Sequence, residues 1–237
     1  MAVRRDYGSF SKSAERHFGA LIAPLGWKAL GGVNFCRAGS AFNHTLFLQQ
    51  SQWGGGEFTV VAGIDVPRAE LFGEPPSPAV AVLVGGELPV LGYDLGLAGP
   101  PSWLPANNKA ELFDGFKTFA DYLSKLEPWF KRFTNLSDVA DAYVKTTYLL
   151  DSPIDEVPWA QQRAAATYGY LLHLSEREEE AREWFDLALK LMRQPIYYTH
   201  GKSQRVMKPS KESTDILAAV ERTYQRLYGG KKAHGSL

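Results

Sequence analysis

The chain has 237 residues, with 26 Lys and Arg against 26 Asp and Glu, one cysteine and 30 aromatic residues. With 45% apolar and 22% charged residues the composition is globular, which excludes a disordered or fibrous chain, and the length suffices for one large domain or two small ones. A lone Cys36 excludes an internal disulfide and a cysteine-only metal site, and zero net charge removes the simplest case for nucleic acid or a membrane surface as partner.

Residues 1–13 are polar, and no apolar run follows Arg4, Arg5 and Lys12 as a secretory signal requires. No stretch approaches the ~20 apolar residues that span a bilayer. A cytoplasmic chain with no membrane partner is expected. The sequons at Asn43 and Asn135 are then chance matches.

Phe10, Ala14, Phe18, Leu21, Ile22 and Leu25 recur at spacings of three and four, which predicts one amphipathic helix stopped by Gly26. From Val33 the period falls to two. Val33 with Phe35, Leu46 with Leu48, and the alternating run Phe58, Val60, Ala62, Ile64, Val66 predict three strands, with a turn at residues 54–56 between the second and third. A fourth strand at residues 80–84 turns at Gly85-Gly86 into an edge strand containing Pro89. Connections this short make the sheet antiparallel.

Pro100-Pro101 and Pro105 mark a change of regime. Asn108 caps a helix with Leu112, Phe113, Phe116, Phe119, Ala120, Leu123 and Leu126 on one face, and Pro128 kinks or ends it. A short helix starts at Ser137. Residues 159–192 then predict a hairpin of two helices, in which Gly169, Ala181, Phe185 and Ala188 resemble the small and aromatic positions of a single tetratricopeptide unit. With no second copy, a packed hairpin is favoured over a peptide-binding array. Residues 196–209 form an irregular basic stretch, and a final helix runs from Ser210 to Tyr228, capped by Ser210 or Ser213.

Charge is uneven along this order: residues 111–195 balance at −5 and residues 196–237 at +5, which predicts that the basic last helix docks on the acidic helices. The expected fold is α+β. An N-terminal helix lies on a four- or five-stranded antiparallel sheet (residues 1–106), followed by an all-helical layer (107–237) packed on the sheet as one unit.

Chemical motifs are sparse. Gly201-Lys202-Ser203 lacks the earlier glycine and the leading strand of a phosphate-binding loop. The five histidines show no metal-ligand spacing, no cofactor motif is recognised, and Ser40 and Ser203 lie in no nucleophile elbow. Cys36 sits in an apolar strand as a small hydrophobe, and Asp65 falls on the outer face of its strand as a solvated carboxylate. No catalytic and no metal-binding residue is assigned.

Residues 10–66 carry one further signal. A helix leads into Leu25-Gly26-Trp27-Lys28 and then Phe35-Cys36-Arg37; Leu48-Gln49-Gln50-Ser51-Gln52 is followed by Glu57-Phe58-Thr59-Val60-Val61-Ala62-Gly63-Ile64. This order resembles the bacterial domain of unknown function 4304, although Gln52 and Ala62 depart from its pattern. The resemblance implies an α+β domain and carries no activity or catalytic residue.

The functional expectation is therefore non-enzymatic protein recognition, specifically an immunity or antitoxin-like protein that binds and occludes a toxin, using aromatics in loops (Trp53, Trp103, Tyr197, Tyr198) and Arg205. One alternative is an enzyme or small-ligand-binding domain with a pocket between sheet and helices lined by Arg37, Gln50 and Asp65. The other is weak nucleic-acid binding through residues 197–211. Lys202, Arg205, Lys208 and Lys211 fall short of the roughly 6–10 cations that tight phosphate binding uses, which disfavours it.

Overall fold

The computed structural model describes residues 6–51, 56–66, 80–84, 87–90, 93–98, 101–146, 159–195, 197–200, 203–206 and 208–229. The chain forms two compact units, Met1–Val66 with Ser77–Val139, and Pro67–Pro76 with Ala140–Leu237. The fold is α+β: an N-terminal helix, a five-stranded antiparallel sheet, then helices. The first unit continues past the compositional break near residue 106 and includes helices of its own.

Phe10, Ala14, Phe18 and Ile22 recur at every fourth position and are all buried. In a regular α-helix, at about 100° per residue, such a row drifts round the axis. Here a π-helical turn (Ala14–Phe18) separates α1 (Phe10–Ser13) from α2 (Gly19–Ile22), and its wider winding keeps the row in line. The same turn corrects the sequence expectation for Leu21 and Leu25, which leave the buried row and stand 40% and 38% exposed. Gly26 ends the segment at φ 85°, left-handed backbone that glycine adopts freely.

Five strands follow as an antiparallel meander in spatial order: β1 (Lys28–Gly31), β2 (Asn34–Arg37), β3 (Asn43–Gln50), β4 (Glu57–Asp65) and β5 (Val80–Val84). Strand β1 lay outside the sequence reading. It is a fully exposed edge strand, paired to β2 with a register break between Ala29 and Gly31. Two elements differ from expectation beyond it. Strand β6 (Glu87–Val90) pairs with β7 (Tyr93–Ala98) in a separate two-stranded sheet, not with β5, although two residues separate it from either strand. Leu104 also leaves the irregular segment to form a short strand, β8 (Leu104–Pro105), against Phe58 of β4.

Helix α3 (Lys109–Leu123) begins as expected at Asn108, whose Oδ1 accepts the Glu111 N–H at 2.9 Å. It contributes Phe116 and Phe119 to an aromatic core with Phe10, Phe18, Phe35 and Phe58. Ring centroids lie 5.4–5.6 Å apart at Phe18–Phe35, Phe10–Phe58, Phe58–Phe116 and Phe58–Phe119. These rings occupy the space between the N-terminal helix, α3 and the sheet. Each contributes roughly 1.5–3 kcal/mol through burial. After a 3-10 turn, α4 (Glu127–Phe130) starts with Pro128 and buries Trp129 and Phe130. Helix α5 (Leu136–Thr146) is capped by Asn135, whose Oδ1 accepts the Asp138 N–H.

The second unit holds the helical hairpin, α6 (Trp159–Leu174) and α7 (Glu178–Arg193), at the predicted positions. A β-carbon on Gly169 would sit 3.1 Å from the Ala181 carbonyl oxygen, so the helices cross almost in backbone contact. Between them, Glu176 adopts φ 63°. Its N–H donates to the His173 carbonyl and the next N–H, of Arg177, to that of Leu172, closing α6 with a left-handed cap. Arg177 then binds Asp141 and Glu180 at 2.8 and 2.7 Å.

The stretch expected to be irregular is instead a β-hairpin of β9 (Tyr197–His200) and β10 (Ser203–Val206). Tyr197, Tyr198 and Thr199 are strand formers, and only two residues separate the strands, the spacing of a tight hairpin. Helix α8 (Lys211–Tyr228) is capped by Ser210, which accepts the Ser213 N–H at 3.1 Å. It packs on α7 through Ile216 and Val220 against Phe185 and Leu189, and the Tyr228 hydroxyl donates to Glu178. The ion pair between the two helices, Arg193 with Glu221, has its base on α7 and its acid on α8, the reverse of the polarity expected from the charge pattern.

Candidate functional site

Arg37, the last residue of β2, faces His44 across the β2–β3 ladder. Its Nε donates to His44 Nδ1 at 3.2 Å, and its Nη1 binds Glu127 Oε1 at 2.5 Å. The guanidinium lies over the rings of Trp27 and Phe130, 4.9 and 5.1 Å from their centroids, and His44 stacks on Phe130 at 4.4 Å. Burial, and then the Arg37 charge, push the His44 pKa down to about 4. The imidazole is therefore neutral at pH 7, and its Nδ1 lone pair is free to accept from Arg37. Two aromatic rings, an imidazole and a carboxylate from the protein itself surround the guanidinium, which makes the cluster a fastening of α4 to the strands.

Gln50 and Asp65 do not join Arg37. Gln50 lies on the same face but six residues along β3 from His44, roughly 20 Å away at the rise of a strand. Asp65 pairs with Asn43, one position out of phase with the His44–Ile64 pair, so it belongs to the opposite face of the sheet. It is also 7% exposed, which corrects the expected solvated carboxylate: Thr59 and Gly63 on the same face are buried with it, so this stretch of the outer face is covered and not solvated. Cys36, half-buried, has its thiol pKa raised by burial and then by the Asp65 charge, so it is protonated at neutral pH.

Of the aromatic candidates, Trp53 lies outside the described residues, and Trp103 is half-buried just before β8. Tyr197, Tyr198 and Arg205, by contrast, are brought together. The β9–β10 register sets Tyr198 opposite Arg205 and Tyr197 opposite Val206. Val206 is 61% exposed, and it lines a cavity of about 460 Å³ in the second unit. Met192 of α7, Pro195 just beyond that helix, and Ile216 and Leu217 of α8 form its apolar wall; Arg163 and Arg193 add charge. Gln162 Nε2 fixes one side by donating to the Leu191 carbonyl at 3.0 Å.

Sequence reasoning found the hairpin's aromatic and basic residues but missed Val206, Arg163 and Arg193. A two-residue spacing between strand formers was the available signal for the hairpin. The cavity had none, because four separate segments enclose it.

Among the described residues, no group of three or more His, Cys, Asp or Glu side chains converges to hold a metal ion, and no helix is long and apolar enough to cross a membrane. No family model, curated protein or solved structure matches this chain.

Proposed function

We propose that this chain is a recognition protein of the cytoplasm, an immunity or antitoxin-like protein that works by covering the surface of a toxin. The observation that supports it is the β9–β10 hairpin, which places Tyr197, Tyr198 and Arg205 in one ribbon beside an apolar cavity with exposed Val206 at its edge. Tyr and Arg are the residue types that anchor protein interfaces, and a cavity of this size accepts an inserted side chain. The cavity also favours a protein over a nucleic acid as the occupant of the hairpin. A polynucleotide stacks and pairs charge but offers at most a base methyl group, not an aliphatic side chain, to fill an apolar wall. The first unit enters this reading as a scaffold with kinship to the domain of unknown function 4304.

The test is growth rescue. The product of a neighbouring gene is expressed alone and together with this chain in a heterologous bacterium. Toxicity relieved by the chain, and restored by Val206→Asp, is the expected result. A chain that relieves no toxicity, or a V206D variant that rescues fully, overturns the proposal.

A further inference from the structure

The cavity wall has a charge sign as well as a polarity. Among its described lining residues are two arginines, Arg163 and Arg193, and no carboxylate. Arg193 gives its Nε and Nη2 donors to Glu221 Oε1, at 3.2 and 2.8 Å, and the side chain is still 59% exposed. A guanidinium has five donors in a rigid fork, so one carboxylate oxygen does not exhaust it. The first turn of α8 lines the same cavity through Ser213 and Thr214, presenting the positive end of an 18-residue helix. Lys208 and Lys211, both exposed, flank that turn, and no acid occurs from residue 196 to residue 211. Opposing charge on α8 comes from Glu212 beside Lys211 in the first turn, from Asp215, which is exposed, and from Glu221, already bound to Arg193.

Resting on the protein-recognition reading above, we infer that the occupant of this cavity is an acidic-aliphatic segment of the partner, in which leucine-like side chains alternate with carboxylates. The aliphatic groups fill the wall made by Met192, Val206, Ile216 and Leu217, and the carboxylates meet the arginines and the start of α8. Charge of this sign also steers a negative partner toward the hairpin before contact.

Fluorescence anisotropy on the full chain tests it with three probes: a short labelled peptide alternating leucine and glutamate, its lysine-for-glutamate counterpart, and decanoate as competitor. The expected result is saturable binding of the leucine–glutamate peptide, weakened by added salt. Binding of the lysine peptide should be weaker by about tenfold or more, the range that complementary against like charge spans at interfaces. Val206→Asp, at a position exposed enough to leave the fold intact, should weaken the acidic peptide about tenfold, and Arg163→Gln by a smaller factor. Equal binding of both peptides overturns the charge inference while leaving protein recognition in place. Decanoate binding without peptide binding, read by isothermal titration calorimetry, overturns it in favour of a small-carboxylate site. Binding of neither peptide overturns it as well, and growth rescue then reports separately on the recognition reading.

Discussion

A β-carbon placed on Gly169 would lie 3.1 Å from Cδ2 of Phe185, so the crossing of α6 and α7 has no room for a side chain at that point. The Phe185 amide nitrogen is only 3.2 Å away, and the ring is fully buried. Gly169→Val should therefore destabilise the second unit by about 1–3 kcal/mol, the cost of overpacking a filled contact. Gly169→Ala should cost less, because alanine regains about 1 kcal/mol of helix propensity. Urea denaturation followed by helical circular dichroism reads both.

Glu176 is the reverse case. It holds φ 63° in the cap that closes α6, a conformation that costs an L-residue and suits glycine, and its side chain is exposed. Glu176→Gly should stabilise the chain by about 0.5–1 kcal/mol, after allowing for glycine's greater freedom in the unfolded state. A rise in the urea midpoint with an unchanged slope is the expected observation.

The His44 pKa of about 4 makes stability depend on pH. Above pH 6.5 the imidazole is neutral whether the chain is folded or not. Below that, the unfolded chain takes up a proton that the folded chain does not accept until about pH 4, so stability falls as pH drops through this window. His44→Gln should flatten the decline between pH 7 and pH 5. Urea midpoints of both proteins at pH 7, 6 and 5 give the difference, and parallel curves would refute the assignment.

Asn108 caps α3 by accepting the Glu111 N–H, while Glu111 accepts the Asn107 N–H at 2.9 Å in return. The Asn107 backbone and side-chain amides hold the Glu111 carboxyl below its usual pKa. Asn108→Ala should cost about 1 kcal/mol, and Asn108→Ser a few tenths at most, since serine offers the same acceptor. Thermal unfolding of the three proteins orders them.

The helical part of the fold was readable because its signals are local. Asn108, Ser210 and Gly26 stand next to the elements they bound, and Gly169, Ala181 and Phe185 mark the crossing by their spacing alone. Where long-range packing decides, the sequence was silent or misleading. Asp65 has the phase of an outer-face residue, yet it is buried on that face together with Thr59 and Gly63. Leu21 and Leu25 fit a regular helix that the π-turn replaces. Arg37 meets Glu127 across 90 positions, a pairing that no spacing rule foretells.

The register break between Ala29 and Gly31 has its own consequence for the exposed first strand of the sheet. Gly31 and Gly32, at φ 118° and 62°, bend the hairpin just where Leu30 stands 65% exposed, so the outer amides form no long straight run on which another copy could seed cross-β growth. Replacing these glycines to regularise the hairpin would remove the kink that guards the edge and expose a straighter strand to edge-to-edge association.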